Sequence, residues 1–149
     1  MSETPDSSVH RFRMEMPGIL RYVRAARRFV LSVCRLAGVD EDSRDSIGLA
    51  LTEILNNSID HGDAGENGTP IEIDIDVRAD SIRLVVTETG ASGWDGPDMQ
   101  RVQQDVEDPA PDDTQFRGRG LLLVCSLMDE MEVRSASNGG TVVEVLKHR

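Results

Sequence analysis

The run Ile71-Glu-Ile-Asp-Ile-Asp-Val77 alternates apolar and acidic residues without a break. An extended strand, whose side chains point to opposite faces at every second residue, separates those two sets cleanly. One face is then buried and the other wet. That suits an antiparallel sheet covered on one side, because strands of a parallel sheet are buried on both faces. A second strand is expected over 82–88, with Ile82, Leu84 and Val86 toward the core and Glu88 continuing their series. An earlier alternation puts Phe12, Met14 and Met16 on one side of a strand over 11–16, ended by Pro17-Gly18. Near the end of the chain, 130–135 and 141–146 flank Asn138-Gly139-Gly140, a strong hairpin signal.

Between these strands the period changes. Ile19, Val23, Ala26, Val30, Val33 and Ala37 recur at three- and four-residue steps, and Gly38 closes that helix. Its other face carries Arg21, Arg24, Arg28 and Arg35, which reads as a solvated surface or a docking surface. Residues 40–43 hold N-cap candidates for a second helix running to about His61, and the glycine-rich stretch 62–70 is a loop. Within 96–115, Pro97, Pro109 and Pro111 stand among many acids and no buried face can be drawn, so a lid is expected over about 96–117. Then Gly118-Arg119-Gly120 precedes an apolar run, 121–128, long enough for a short buried helix.

The order is β-α-α-β-β-lid-α-β-β. It predicts an α+β fold: a two-layer α/β sandwich, with a mostly antiparallel sheet and its helices on one face. The expected organisation is one domain over 11–149 behind a disordered polar tail, 1–10.

Formal charge is −11, and aromatic residues make up 3% of the chain. Both disfavour nucleic acid, which needs cations to displace phosphate counterions and rings on which bases stack. Cys34 and Cys125 lie in apolar, helix-like stretches, which favours buried thiols in a reducing compartment over a disulfide. No apolar run reaches the ~18 residues of a membrane span, and no signal peptide heads the chain. A cytoplasmic location is expected.

Most signatures of chemistry are missing. The three histidines, His10, His61 and His148, and the two cysteines show no metal-ligand spacing, and there is no Gly-x-x-x-x-Gly-Lys phosphate loop. Three features remain. Glu53, Asn57 and His61 stand at four-residue steps on the second helix, one polar row beside the stripe Ile47, Leu51, Ile54, Leu55 and Ile59. Glu88-Thr-Gly90 and then Gly93 follow a strand, where a carboxylate could accept a hydrogen bond from an amino group of a flat ligand. Gly118-Arg119-Gly120 opens a helix whose free amides would suit phosphate, with Arg117 or Arg119 adding charge. Taken singly, each has a bland reading: a row facing water, an ordinary turn, a flexible hinge.

Their order is more specific than any one of them. Thr52-Glu-Ile-Leu-Asn-Asn-Ser-Ile-Asp-His-Gly62, Gly118-Arg-Gly-Leu121 and Leu127-Met-Asp-Glu130 resemble the histidine-kinase-like ATPase superfamily, closest to the anti-sigma factor serine/threonine kinases, over roughly residues 11–147. The resemblance implies ATP and Mg²⁺ as cofactors. It implies Asn57 as the metal ligand, Glu53 as the catalytic base toward a partner's hydroxyl, and His61 as a phosphate-proximal or structural residue. Gly118 and Gly120, with Leu121, match the glycine box that folds over the phosphates. Glu88 stands where the family's adenine-recognising residue is usually aspartate, and the spacing from Gly90 to Gly93 is looser than the usual first glycine box. The implied function is phosphorylation of an anti-sigma-factor antagonist and control of a sigma factor by partner switching. The partners are then that antagonist and a sigma factor, with no nucleic acid, no membrane and a homodimer as one implied assembly. The alternative is a module that binds nucleotide weakly or not at all and acts by sequestration.

Overall fold

In a computed structural model of the chain, which describes residues 8–61, 70–88, 116–136 and 140–149, five strands form one antiparallel sheet. The side chains of 60, 61 and 116–119 fall outside that description. The strands are β1 (His10–Pro17), β2 (Pro70–Val77), β3 (Ser81–Glu88), β4 (Glu130–Ser135) and β5 (Thr141–His148). Their order across the sheet is β1-β2-β3-β5-β4. The helices are α1 (Val23–Leu36), α2 (Glu41–His61) and α3 (Phe116–Leu127), and a single 3-10 turn, Leu20–Tyr22, leads into α1. This is the α+β architecture expected, with its strands and helices in the expected order. Residues 1–7 of the expected tail and 96–115 of the expected lid lie outside the described residues, while Phe116 and Arg117 open α3.

Alternation decides the faces of the sheet. Ile71, Ile73, Ile75 and Val77 on β2, with Ile82, Leu84 and Val86 on β3, are all buried beneath the helices. Their alternates form the open face, where opposite charges meet from strand to strand. Arg11 on β1 reaches Asp76 on β2 at 3.6 Å, and Asp76 meets Arg83 on β3 at 3.4 Å. Arg83 pairs closely with Glu144 on β5, and Arg134 on β4 closes on that same carboxylate at 2.8 Å. The ladder spans all five strands, and arginines occupy both edges.

α2 packs between α1 and α3 over this sheet. Ile47, Ala50, Leu51, Ile54 and Leu55 are fully buried, and Ile59 is partly buried. Each large side chain removed from water here contributes about 1.5–3 kcal/mol. At the end of α1, Gly38 has φ 78°, the left-handed region. Gly38 donates its N–H to the Arg35 carbonyl and Val39 donates to that of Cys34, the paired bonds of a glycine-closed helix end. Two residues on, the Asp40 carboxylate accepts the Ser43 N–H at 3.0 Å and caps α2.

The C-terminal end of β5 ties the helices into register. Lys147 Nζ donates to the Leu127 carbonyl at 2.9 Å, at the end of α3. Arg149 donates to the Ala37 carbonyl at 2.5 Å, just before α2 begins. A 21-residue helix is about 30 Å long, and an eight-residue strand about 26 Å. The C-terminal half of α2, the N-terminal end of α3, the end of β3 and the start of β5 therefore gather at the opposite end of the molecule.

Candidate functional site

α2 brings Glu53 and Asn57 to that end, one helical turn apart and both half-buried. They face Gly120 of α3. A methyl placed on Gly120 would stand 3.0 Å from Glu53 Oε2 and 4.0 Å from Asn57 Oδ1. The absence of a side chain at Gly120 lets α3 come this close without displacing the carboxylate. Glu53 and Asn57 of the expected polar row thus face a neighbouring helix. His61 is the last residue of α2, and its side chain lies outside the described residues.

One expectation needs correction. The apolar helix was expected over 121–128, opened by Gly118-Arg119-Gly120 and preceded by a lid to about 117, but α3 begins at Phe116 and contains both glycines. A glycine inside a helix costs about 1 kcal/mol relative to alanine, which the packing of α3 against α2 offsets. The amides without intrahelical acceptors therefore belong to the first turn, around Arg117, Gly118 and Arg119. Leu121 is buried, 5% exposed, and anchors the next turn.

A second candidate group lies at the end of the sheet. Glu88 is the last residue of β3 and is only 2% exposed. Its Oε2 is buried with no hydrogen-bond partner among the described residues. Burial pushes its carboxyl up to about 7 from the ordinary 4.5, because the charged form loses its water. Directly across the ladder stands Thr141, the first residue of β5, 7% exposed and with its Oγ1 likewise buried and unpartnered among the described residues. Buried polar atoms are nearly always satisfied, so this facing pair is a candidate ligand contact. Sequence reasoning named Glu88 and missed Thr141. The signal was present: Thr141 is in phase with the inward-facing Val143 and Val145, immediately after the hairpin turn. Gly90 and Gly93 lie outside the described residues.

Both cysteines are free thiols. Cys34 is buried, and its thiol is pushed up to about 11 by that burial, whereas Cys125 is half-buried, more open than expected. Among the described residues, no three His, Cys, Asp or Glu side chains are grouped to hold a metal, and no helix is long and apolar enough to cross a membrane.

Comparison with known proteins gives this geometry a context. A family model, the histidine kinase-like ATPase domain, matches residues 16–147. Serine-protein kinase RsbW of Bacillus velezensis is 28% identical over 146 residues, covering 95% of this chain and 88% of that protein. Among solved structures, one chain of the SiaB–SiaC complex of Pseudomonas aeruginosa superposes with a TM-score of 0.64 at 12% identity, over 93% of this chain and 89% of that one. The RsbU and RsbW domains of a Mycobacterium tuberculosis protein give 0.62 at 17% identity, over 93% of this chain, which spans 31% of that longer one. These two structural likenesses are of fold.

Proposed function

The chain belongs to the histidine kinase-like ATPase domain family, and from that premise we propose that it is a serine/threonine protein kinase of the anti-sigma type. In this reading it uses Mg-ATP to phosphorylate an anti-sigma-factor antagonist and regulates a sigma factor by partner switching. The observation that carries the reading is the meeting of Glu53 Oε2 and Asn57 Oδ1 over the side-chain-free face of Gly120. A carboxylate that can take a proton and a carboxamide oxygen that can hold a hard cation then lie one helical turn apart beside the same glycine.

The residues fit the group. Asn57 would hold Mg²⁺ through Oδ1, and Glu53, one turn away, would accept the proton of the partner's hydroxyl. The first-turn amides of α3, with Arg117 and Arg119, would take phosphate oxygens. Gly118 and Gly120 would keep that approach open, with Leu121 anchoring the turn beneath them. Glu88 with Thr141 would meet the base, with Gly90 and Gly93 following on the same segment, and His61 would stand near the phosphates. Mg-ATP supplies a transferable phosphoryl group whose charge the metal partly neutralises. The described residues offer no metal cage of their own, so the cation would draw most of its ligands from phosphate and water. The name of the B. velezensis relative supports the kinase reading, and the P. aeruginosa structure is that of a complex with a protein partner.

The test is a calorimetric titration with ATP, with and without Mg²⁺, on the wild type and on Asn57→Ala. The reading expects Mg²⁺-dependent binding that weakens by about 10–100-fold in the variant, as for a lost metal contact. No heat from the wild type would support the second reading, a sequestering module without nucleotide, for which Glu88 in place of aspartate is the specific indication.

A further inference from the structure

We propose that Glu88 reads the nucleotide base as a neutral carboxylic acid, its O–H donating to adenine N1 while its carbonyl oxygen accepts from the N6 amino group. The inference rests on the reading of this site as an ATP site and adds the protonation state that binding requires. A neutral carboxyl presents one donor and one acceptor side by side. Adenine's pairing edge presents the complement, an amino donor beside the N1 lone pair. An ionised carboxylate has acceptors only, so it would keep the N6 bond but set a lone pair against N1.

The geometry supports the neutral form. Glu88 is 2% exposed at the end of β3, and its buried Oε2 has no partner among the described residues. Among the described residues no cation stands beside it, and burial is the cause that acts on its carboxyl. Opposite it on β2 is Ile71, followed inward by Ile73, and on β5 is Thr141, followed by Val143. α2 covers the sheet with Ile54 and Leu55; toward this end it carries the acidic Glu53, while the side chains of Asp60 and His61 lie outside the described residues. On α3, Leu121 and Val124 are buried, while the side chains of Arg117 and Arg119 lie outside the described residues. The upward displacement of the carboxyl has burial as its cause, which agrees with an uncompensated acid. Thr141, whose Cβ in such a directly opposed pair lies about 5 Å away, adds a hydroxyl that can donate or accept at the same edge.

One proton is then linked to adenine binding. Below about pH 6.5 the acid is already neutral and affinity is level. Above about pH 7.5 each bound ATP takes up a proton and affinity falls by up to about tenfold per pH unit. Calorimetry of ATP binding between pH 6 and 8.5, repeated in buffers of different ionisation enthalpy, reads both the slope and the proton uptake. Glu88→Gln carries a donor and an acceptor that do not titrate, and is expected to lose both signals. On the wild type, 1-deaza-ATP keeps the amino group but lacks the N1 acceptor. It should bind more weakly than ATP at pH 6.5, with a flatter slope. ATP binding without proton uptake, or a slope that persists unchanged in Glu88→Gln, overturns the inference while leaving the ATP site standing. No ATP binding at any pH overturns the site itself, and the inference with it.

Discussion

Gly120 is where a single atom separates folding from chemistry. A methyl there fits the helix better than glycine does, by about 1 kcal/mol, but it would stand 3.0 Å from Glu53 Oε2. The carboxylate sits at the end of a flexible side chain, so it would move and the fold would hold. Gly120→Ala is therefore expected to melt at or above the wild-type temperature while phosphotransfer falls by about tenfold or more, since displacement of a catalytic group by ~1 Å can cost 100-fold. A parallel loss of melting temperature would contradict this. Glu88 makes a different prediction. Its carboxyl is raised in the folded protein to about 7 against 4.5 unfolded, so the folded state holds a proton that the unfolded chain releases. Stability is then full below about pH 4.5 and is lost as pH rises through 7. After discounting for screening at the sheet's end, the loss is about 1–2 kcal/mol. Urea unfolding at pH 5, 6 and 7.5 should show this decline in the wild type and its absence in Glu88→Gln. Equal pH dependence in both would reject it.

At the scale of elements, α2 carries both the core and the site. Ile54 is fully buried one residue after Glu53, so the same helix that presents the carboxylate is fixed by the side chain next to it. Ile54→Ala is expected to cost about 2–5 kcal/mol in chemical denaturation, and a cost under 1 kcal/mol would mean that α2 is not clamped there. The elements themselves were legible because their periods are unambiguous. Ile71 to Val77 cannot be amphipathic at any spacing but two, and Gly38 stops α1 where left-handed backbone is required. The start of α3 was not legible, because glycines at 118 and 120 read locally as a loop, whereas the helix includes both and Gly120 lies against α2. The exposed arginines of α1 gain meaning from their surroundings too. Arg28 and Arg35, with Arg44 of α2, border a groove of about 450 Å³ between the two helices. If the groove contributes to partner docking, Arg28→Glu with Arg35→Glu weakens antagonist binding at low salt without lowering the melting temperature. Unchanged affinity would remove α1 from the interface.

Across the whole molecule, sheet order determines which residues share the site. β5 inserts between β3 and β4, and that insertion sets Thr141 against Glu88. A reader of the sequence sees the hairpin of β4 and β5 but has no local cue for which of its strands meets β3, and so Thr141 goes unnoticed. The pairing of β1 with β2 across two intervening helices is equally long-range. The ladder from Arg11 to Arg134 places charges on both edges of the sheet, which discourages further strand pairing. Its central carboxylate, Glu144, is held below the ordinary range chiefly by its hydrogen bond with Arg83. That contribution is present above the unfolded carboxylate range and is lost on acidification, the opposite sense to Glu88. The central claim is that the α2 row performs phosphoryl transfer, and its most direct test is transfer of labelled γ-phosphate from Mg-ATP to the cognate antagonist by the wild type and Glu53→Ala. The account predicts transfer by the wild type and a fall of about 100-fold or more in the variant, the scale of a lost general base. Transfer unchanged in Glu53→Ala would contradict it.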